Sequence, residues 1–213
     1  MVMSSKHLGF TLIEVMVALL LMAILSVLSW RALDSMSRTR ETLDAHGQRD
    51  DQLKSVFNQW DKDCRSFGYQ ANWIVTVPVR MDENQLVFLK EKQLANGVTR
   101  TIVVVYELQN KQLVRMESRP LNTRQELTQA WSNALNHHLT MDLGLQNKEV
   151  LLDSVNALST AIFLQGKGWL RSDEAIINAQ NTKDANVIKA LSLSITLDKQ
   201  NVPFQKIALT GVD

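Results

Sequence analysis

An uninterrupted apolar segment near the N-terminus limits what this chain can fold into. No charged residue occurs from Val15 to Trp30, and Arg31 ends the run. As a helix that rises 1.5 Å per residue, residues 10–30 would span about 30 Å, which matches the hydrocarbon core of a bilayer. The segment therefore predicts a helix that crosses a membrane once.

One carboxylate, Glu14, lies at the start of this apolar segment. An ionised group near a bilayer centre costs about 2.5–3.5 kcal/mol, so an acid in this environment is expected to have a cationic partner. Cleavage between Gly9 and Phe10 would create a nearby amino group. In its own helix that amine points along the axis, whereas the amine of a neighbouring chain can approach from the side. Glu14 is therefore predicted to be an assembly determinant.

The run Gly9-Phe10-Thr11-Leu12-Ile13-Glu14 resembles the class III signal of type IV pilins and type II secretion pseudopilins. The resemblance implies that a prepilin peptidase cuts after Gly9 and methylates the new amino terminus at Phe10. Glu14 would then be the fifth residue of the mature chain, where this superfamily has its assembly glutamate. The alternatives are a plain single-pass anchor and an ordinary secretory leader, which would have a shorter apolar region followed by a small-residue cleavage site.

The orientation of the chain is taken from the resemblance. Lys6 precedes the apolar segment, but Arg31, Arg38 and Arg40 follow it, so the positive-inside rule alone does not favour a cytoplasmic N-terminus. Pilin-like processing on the cytoplasmic side implies a single-pass protein of the inner membrane with a periplasmic head.

The predicted organisation has four segments. They are the leader 1–9, the transmembrane part 10–30, a continuation of the same helix over 31–67, and the head 68–213. Apolar residues at helical spacing predict that the end of the helix packs on the head; they are Leu53, Val56, Phe57, Trp60 and Cys64. Whether Gly47 breaks the helix stays open.

The head is predicted to be an antiparallel sheet with a short helix, which gives an α+β, pilin-like fold. Thr123-Arg124-Gln125-Glu126 forms a capping box that should begin the helix. Strand-forming runs bounded by turn residues predict strands over 72–77, 85–89, 101–108, 112–117, 191–197 and 202–209. The first four of these are predicted to form a meander, with a tight turn at residues 109–111. Residues 191–197 alternate between apolar and polar, and the polar segment 178–186 is predicted to be a loop.

Charge and cysteine content restrict the classes of function. The formal net charge is +1, and a near-neutral chain lacks the basic surface typical of nucleic-acid binders. Cys64 is the only cysteine, so no internal disulfide can form, and we expect the thiol to be buried as packing.

Two groups of titratable residues were considered as metal or acid–base sites. His137 and His138 are adjacent, so on a helix they point in different directions and do not form a ligand pair with Asp142. Asp61 and Asp63 lack the spacing of a calcium loop and are predicted to lie on a solvated helix face.

The remaining candidates also favour structural roles. Trp73, Trp131 and Trp169 are predicted to be core aromatics rather than a ligand platform, and residues 166–168 are predicted to form a turn because the phosphate-loop pattern is absent. No nucleophile–base pair, cofactor site or metal site is recognisable. The chain is therefore predicted not to be an enzyme, with a membrane-anchored periplasmic hydrolase as the competing hypothesis.

The stretch behind the anchor, Trp30 to Met36, is similar to that of J-type minor pseudopilins, with a weaker likeness over Arg119–Arg124. The resemblance implies a tip complex with I-type and K-type subunits, beneath which major pseudopilins are added to export folded proteins. A minor type IV pilin, serving adhesion, motility or DNA uptake, has the same anchor and is the alternative.

Overall fold

The computed structural model describes residues 11–68, 78–136, 148–171, 188–198 and 200–211. The predicted α+β class is confirmed: a long N-terminal helix is followed by antiparallel strands and a short helix. In chain order the elements within these ranges are α1 (Leu12–Arg65), β1 (Val79–Met81), β2 (Gln85–Gln93), β3 (Thr99–Gln109), β4 (Gln112–Glu117), α2 (Arg124–Leu135), β5 (Glu149–Leu152), β6 (Val155–Leu164), β7 (Gly168–Leu170), β8 (Ile188–Leu197) and β9 (Phe204–Leu209).

The chain divides into two compact units, Met1–Asp51 and Gln52–Asp213. Helix α1 is continuous from Leu12 to Arg65, and Gly47 lies inside it. The open question about Gly47 is thus answered in favour of helix. The last turns of α1 belong to the second unit together with the strands and α2.

The first sheet has the strand order β1-β2-β3-β4-β5, with every neighbouring pair antiparallel. The hairpin between β3 and β4 turns at Asn110 and Lys111, whose φ angles are 49° and 62°. Positive φ at both central residues is the geometry of a two-residue hairpin turn that matches the strand twist. This sheet therefore contains the meander that the sequence predicts.

Helix α2 covers one face of the first sheet. Its capping box is formed as predicted, because Thr123 accepts from the Glu126 N–H while the Glu126 carboxylate accepts from the Thr123 N–H. Leu127, Ala130 and Ala134 are buried against the sheet residues of β2–β4. The capping box determines where α2 begins, and its apolar face determines which side of it packs on the sheet.

The second sheet has the strand order β7-β6-β8-β9 and is also antiparallel. The alternation predicted for β8 is observed, since Leu191, Leu193, Ile195 and Leu197 all face the core. The last strand begins at Phe204 rather than Val202. Pro203 lacks the N–H that a ladder needs, which explains the later start.

The main core lies between the two sheets and the end of α1. Trp60 is fully buried and meets Phe88 and Tyr106 edge to face, with ring centroids 6.1 and 5.3 Å apart. Such aromatic pairs add roughly 0.5–1.5 kcal/mol beyond their burial. Trp169, predicted to be core, is 45% exposed on the short strand β7. That prediction was wrong, because Trp169 lies on an edge strand that has only β6 beside it among the described strands, and its ring contacts Phe163 while nearly half of it stays exposed.

Several predicted elements fall outside the described residues. These are the strand 72–77 with Trp73, the residues His137, His138 and Asp142, and the segment 178–186. The turn predicted at 166–168 is observed between β6 and β7, with positive φ at Gly166 and Gly168.

Candidate functional site

The residues predicted for processing and assembly cluster at the beginning of α1. Gly9 and Phe10, the predicted cleavage and methylation positions, lie outside the described residues, and the helix begins two residues after Phe10. Thr11 is therefore the residue that precedes the first helical turn, and Glu14 is the third residue of that turn.

Glu14 folds back onto Thr11. One carboxylate oxygen of Glu14, Oε2, accepts from both the Thr11 N–H and the Thr11 hydroxyl at 2.9 Å. The Glu14 N–H lies 3.4 Å from the Thr11 hydroxyl oxygen. This reciprocal arrangement satisfies donors that the start of a helix leaves free and puts a negative charge at the positive end of the helix dipole.

Sequence reasoning missed this arrangement, although its signal was available. Thr11-x-x-Glu14 is the same pattern as Thr123-x-x-Glu126, from which the capping of α2 was predicted correctly. At Thr11 the carboxylate was considered only as a partner for another chain. In the isolated subunit Glu14 caps its own helix.

The apolar part of α1 is exposed along its whole length. Every described residue from Leu12 to Trp30 is exposed, including Leu12 at 81% and Trp30 at 75%. Within α1 an 18-residue window with a mean hydropathy of 2.6 is long and apolar enough to cross a membrane, and none of it is buried. An apolar surface of this extent requires lipid or other helices around it.

A second polar cluster lies at the other end of α1 and was not predicted. Asp63 is fully buried, and three side chains from β2–β4 donate to its carboxylate: Lys90 at 2.6 Å, the Arg115 Nε at 2.7 Å and the Tyr106 hydroxyl at 2.8 Å. Gln59, one turn earlier, donates at 3.1 Å. The predicted solvated helix face was therefore wrong for Asp63.

Asp61, by contrast, is partly exposed and accepts from Arg65 at 2.8 Å. For this residue the surface prediction was right. The two aspartates are two positions apart, so on a helix they face different directions. Nothing in the local sequence distinguishes them; only the sheet that covers one of them does.

The buried cluster extends along the sheet to Glu117. Its carboxylate accepts from Arg115 at 3.0 Å and from Lys92 at 2.6 Å. Buried charges are tolerated only when they are paired and hydrogen-bonded, a condition that this chain of alternating charges meets. The cluster thus ties the end of α1 to three strands of the first sheet.

The charges of this cluster shift the pKa values of its members. Burial raises the pKa of Asp63, but hydrogen bonds and charges from Arg115 and Lys90 outweigh it and hold that pKa below its ordinary value. The same balance, with Lys92 and Arg115 as donors, lowers the pKa of Glu117. Burial and the Asp63 charge raise the pKa of Tyr106, so its hydroxyl stays protonated as a donor.

Cys64 is fully buried beside this cluster. Burial, followed by the charges of Asp63 and Asp61, raises the pKa of its thiol far above the usual value. A thiol that does not ionise is a poor nucleophile and a poor metal ligand. The structure accordingly places Cys64 as packing, in agreement with the sequence prediction. Within the described ranges no group of three or more histidine, cysteine or carboxylate side chains is arranged to hold a metal ion.

Comparison with known protein families places a motif at the N-terminal end of the chain. The family described as the prokaryotic N-terminal methylation motif matches residues 4–30. This stretch contains Gly9, Phe10 and Glu14 together with most of the exposed apolar segment. The motif supports a type IV pilin-like or pseudopilin protein. The apolar helix that follows it could anchor the chain in a membrane. No curated protein sequence matches the chain.

Proposed function

We propose that this protein is a J-type minor pseudopilin of a type II secretion system. In this role it would join I-type and K-type subunits in a tip complex that starts a periplasmic pseudopilus, and major pseudopilins would be added below it. The observation that supports the proposal is the methylation motif over residues 4–30, placed on an apolar helix that is exposed from Leu12 to Trp30.

The proposed mechanism is structural rather than catalytic. A prepilin peptidase would cut between Gly9 and Phe10 and methylate the new amino group, and the apolar helix would hold the subunit in the inner membrane until assembly. During assembly the Glu14 carboxylate would exchange its bonds to Thr11 for the amine of a neighbouring subunit. In the low-dielectric environment of the membrane a charged partner would bind the carboxylate more strongly than the neutral donors of Thr11 do.

Processing is the first test. Mass spectrometry of the protein purified from a host that contains the peptidase should find a chain that begins at methylated Phe10. Gly9→Ala should leave Met1 and the leader in place, whereas Gly47→Ala, a change in the middle of α1, should not affect cleavage. A chain that keeps its leader in the presence of active peptidase contradicts the proposal.

Assembly is the second test. Glu14→Ala should reduce incorporation into sheared pseudopili about tenfold or more, because the charge pair in the apolar environment is lost. Glu41→Ala removes an exposed carboxylate from the same helix and serves as the matched control. Recovery of the processed chain with I-type and K-type subunits supports a pseudopilin, and its recovery with subunits of a retractile pilus supports the minor pilin instead.

A further inference from the structure

The free edges of the two sheets differ sharply in length and regularity. Among the described strands, β1, β5, β7 and β9 each have one side without a neighbour. Strands β1 and β7 have only three residues each, and β5 has four with a shift in its pairing to β4. Strand β9 has six residues in an unbroken register with β8. It is therefore the longest regular edge in the described structure.

The pairing of β9 shows which of its backbone groups face this edge. The Thr210 N–H donates to the Lys189 carbonyl at 3.0 Å, next to the Cα pair Ala190–Leu209. Antiparallel strands alternate between residue pairs that exchange hydrogen bonds and pairs that do not. The backbone N–H and C=O groups that point away from β8 are consequently those of Gln205, Ile207 and Leu209.

The side chains at this edge are unusually apolar. Ile207 is 50% exposed and Leu209 is 69% exposed. Natural edge strands are generally short, bulged or charged, because an exposed regular edge is a template for another strand. Here the only charge on β9 is Lys206, which is exposed and has no ion-pair partner within the described part of the chain.

Lys206 determines what kind of strand fits. If two copies of β9 paired about the middle of the strand, their Lys206 side chains would lie directly opposite or diagonally, at most about 7–8 Å apart. Like charges at such positions are unfavourable, whereas an acidic side chain opposite Lys206 is favourable. The charge therefore disfavours a second copy and favours a different partner.

We propose that the free edge of β9 binds an extended strand of a different pilin-like subunit, one with a carboxylate opposite Lys206 and apolar side chains beside Ile207 and Leu209. The backbone groups of Gln205, Ile207 and Leu209 would form the new ladder, and the apolar and charged side chains would set its register. The identification of the partner as a pilin-like subunit rests on the proposed function.

The backbone part of the proposal is tested with Ile207→Pro. Proline removes an N–H that faces the free edge and leaves the bonds between β9 and β8 intact. Ile207→Val keeps the N–H and is the matched control. The full-length variants, in detergent, are titrated with purified I-type and K-type subunits. Ile207→Pro should weaken the apparent Kd for one of them about tenfold, and Ile207→Val less than threefold.

The charge part is tested with Lys206→Glu, which introduces no backbone change. It should weaken the same interaction by roughly three- to tenfold, with Lys206→Gln in between. A photo-crosslinking amino acid at position 209 should attach to the same subunit, and one at the exposed residue Val98 should not. Thermal unfolding shows whether each variant is folded. If a variant is misfolded, its affinity is set aside and the crosslink from position 209 decides whether the edge binds the subunit.

The outcomes separate this inference from the proposed function. Equal affinities for Ile207→Pro and Ile207→Val, absence of a crosslink from position 209, or a crosslink to a second copy of this chain would each overturn the binding edge. If these occur while Phe10 is methylated and Glu14 is required for assembly, only the edge proposal fails. If processing itself does not take place, the proposed function fails.

Discussion

Helix α1 has one regular backbone but two very different surroundings. From Leu12 to Asp51 the described side chains are exposed, apart from the half-buried Arg49. In the last turns, Leu53, Val56, Trp60 and the pair Asp63–Cys64 are buried at spacings of three and four residues. Apolar residues occur in both parts, so hydrophobicity alone does not determine burial. The last turns of α1 carry an apolar stripe on one face, and that face can pack on the sheets. The part up to Trp30 is apolar on all sides, so it needs an apolar environment around it.

The largest effect that tests this comparison should come from Asp63. Asp63→Ala removes the acceptor of two cations and a tyrosine, and it should lower the free energy of unfolding by about 3–5 kcal/mol because buried Arg115 loses one of its two carboxylate partners and keeps only Glu117. Denaturant unfolding monitored by the near-UV circular dichroism of the aromatic side chains measures it. Asp61→Ala, which breaks a largely exposed pair with Arg65, should cost less than about 1 kcal/mol. Equal losses in the two variants would contradict the assignment of the buried cluster.

A matched pair of leucines compares the two parts of α1 directly. Leu53 is 5% exposed and Leu43 is 65% exposed. Leu53→Ala should cost about 2–5 kcal/mol by removing buried contacts, and Leu43→Ala should change the stability of the head by less than about 0.5 kcal/mol. The same denaturant experiment measures both. A large loss from Leu43→Ala would mean that the first part of the helix is also packed.

Acid should weaken the buried cluster. The pKa values of Asp63 and Glu117 are lowered in the folded protein. Their contribution to the free energy of unfolding is therefore complete when the pH is above the pKa values of the unfolded state. This contribution is lost as the pH falls below about 4 and then through the pKa values of the folded protein. Thermal unfolding between pH 7 and pH 3 should show this decline. Glu117→Gln should make the decline less steep, and an unchanged slope would argue against the cluster as its source.

Two glycines should respond in opposite directions. A side chain at Gly211 would collide with the Arg65 carbonyl oxygen, so Gly211→Ala should cost about 1–3 kcal/mol. At Gly47 a Cβ would meet nothing within 4 Å, and Gly47→Ala should favour the helix by about 0.5–1 kcal/mol. In Gly47→Ala, local amide hydrogen exchange around position 47 should slow by about two- to fivefold. In Gly211→Ala, the loss of stability should be measured as a lower melting temperature. Faster exchange in Gly47→Ala would indicate that this region is not a simple exposed helix.

Local patterns were sufficient for much of the fold. The apolar run, the capping box at Thr123, the turn at Asn110 and the alternation in β8 depend on neighbours within a few residues, and all four appear in the structure. The capping of α1 by Thr11 and Glu14 belongs to the same class. Its Thr-x-x-Glu pattern is present in the sequence, but an acid at the start of an apolar run also predicts a partner in another chain.

Other features depend on residues that are far apart in the chain. Asp63 lies 52 residues from Arg115 and 43 from Tyr106, and its burial results from the docking of α1 on β2–β4. The exposure of Trp169 and the edge of β9 that has no neighbour among the described strands follow from strand order, which period-two patterns do not specify. By itself the sequence determined α1, α2 and the strands β2–β4, β8 and β9, since their signals act over single turns and hairpins. Only the tertiary structure decided which charges are buried and which edge stays open, because desolvation and strand pairing depend on what packs alongside.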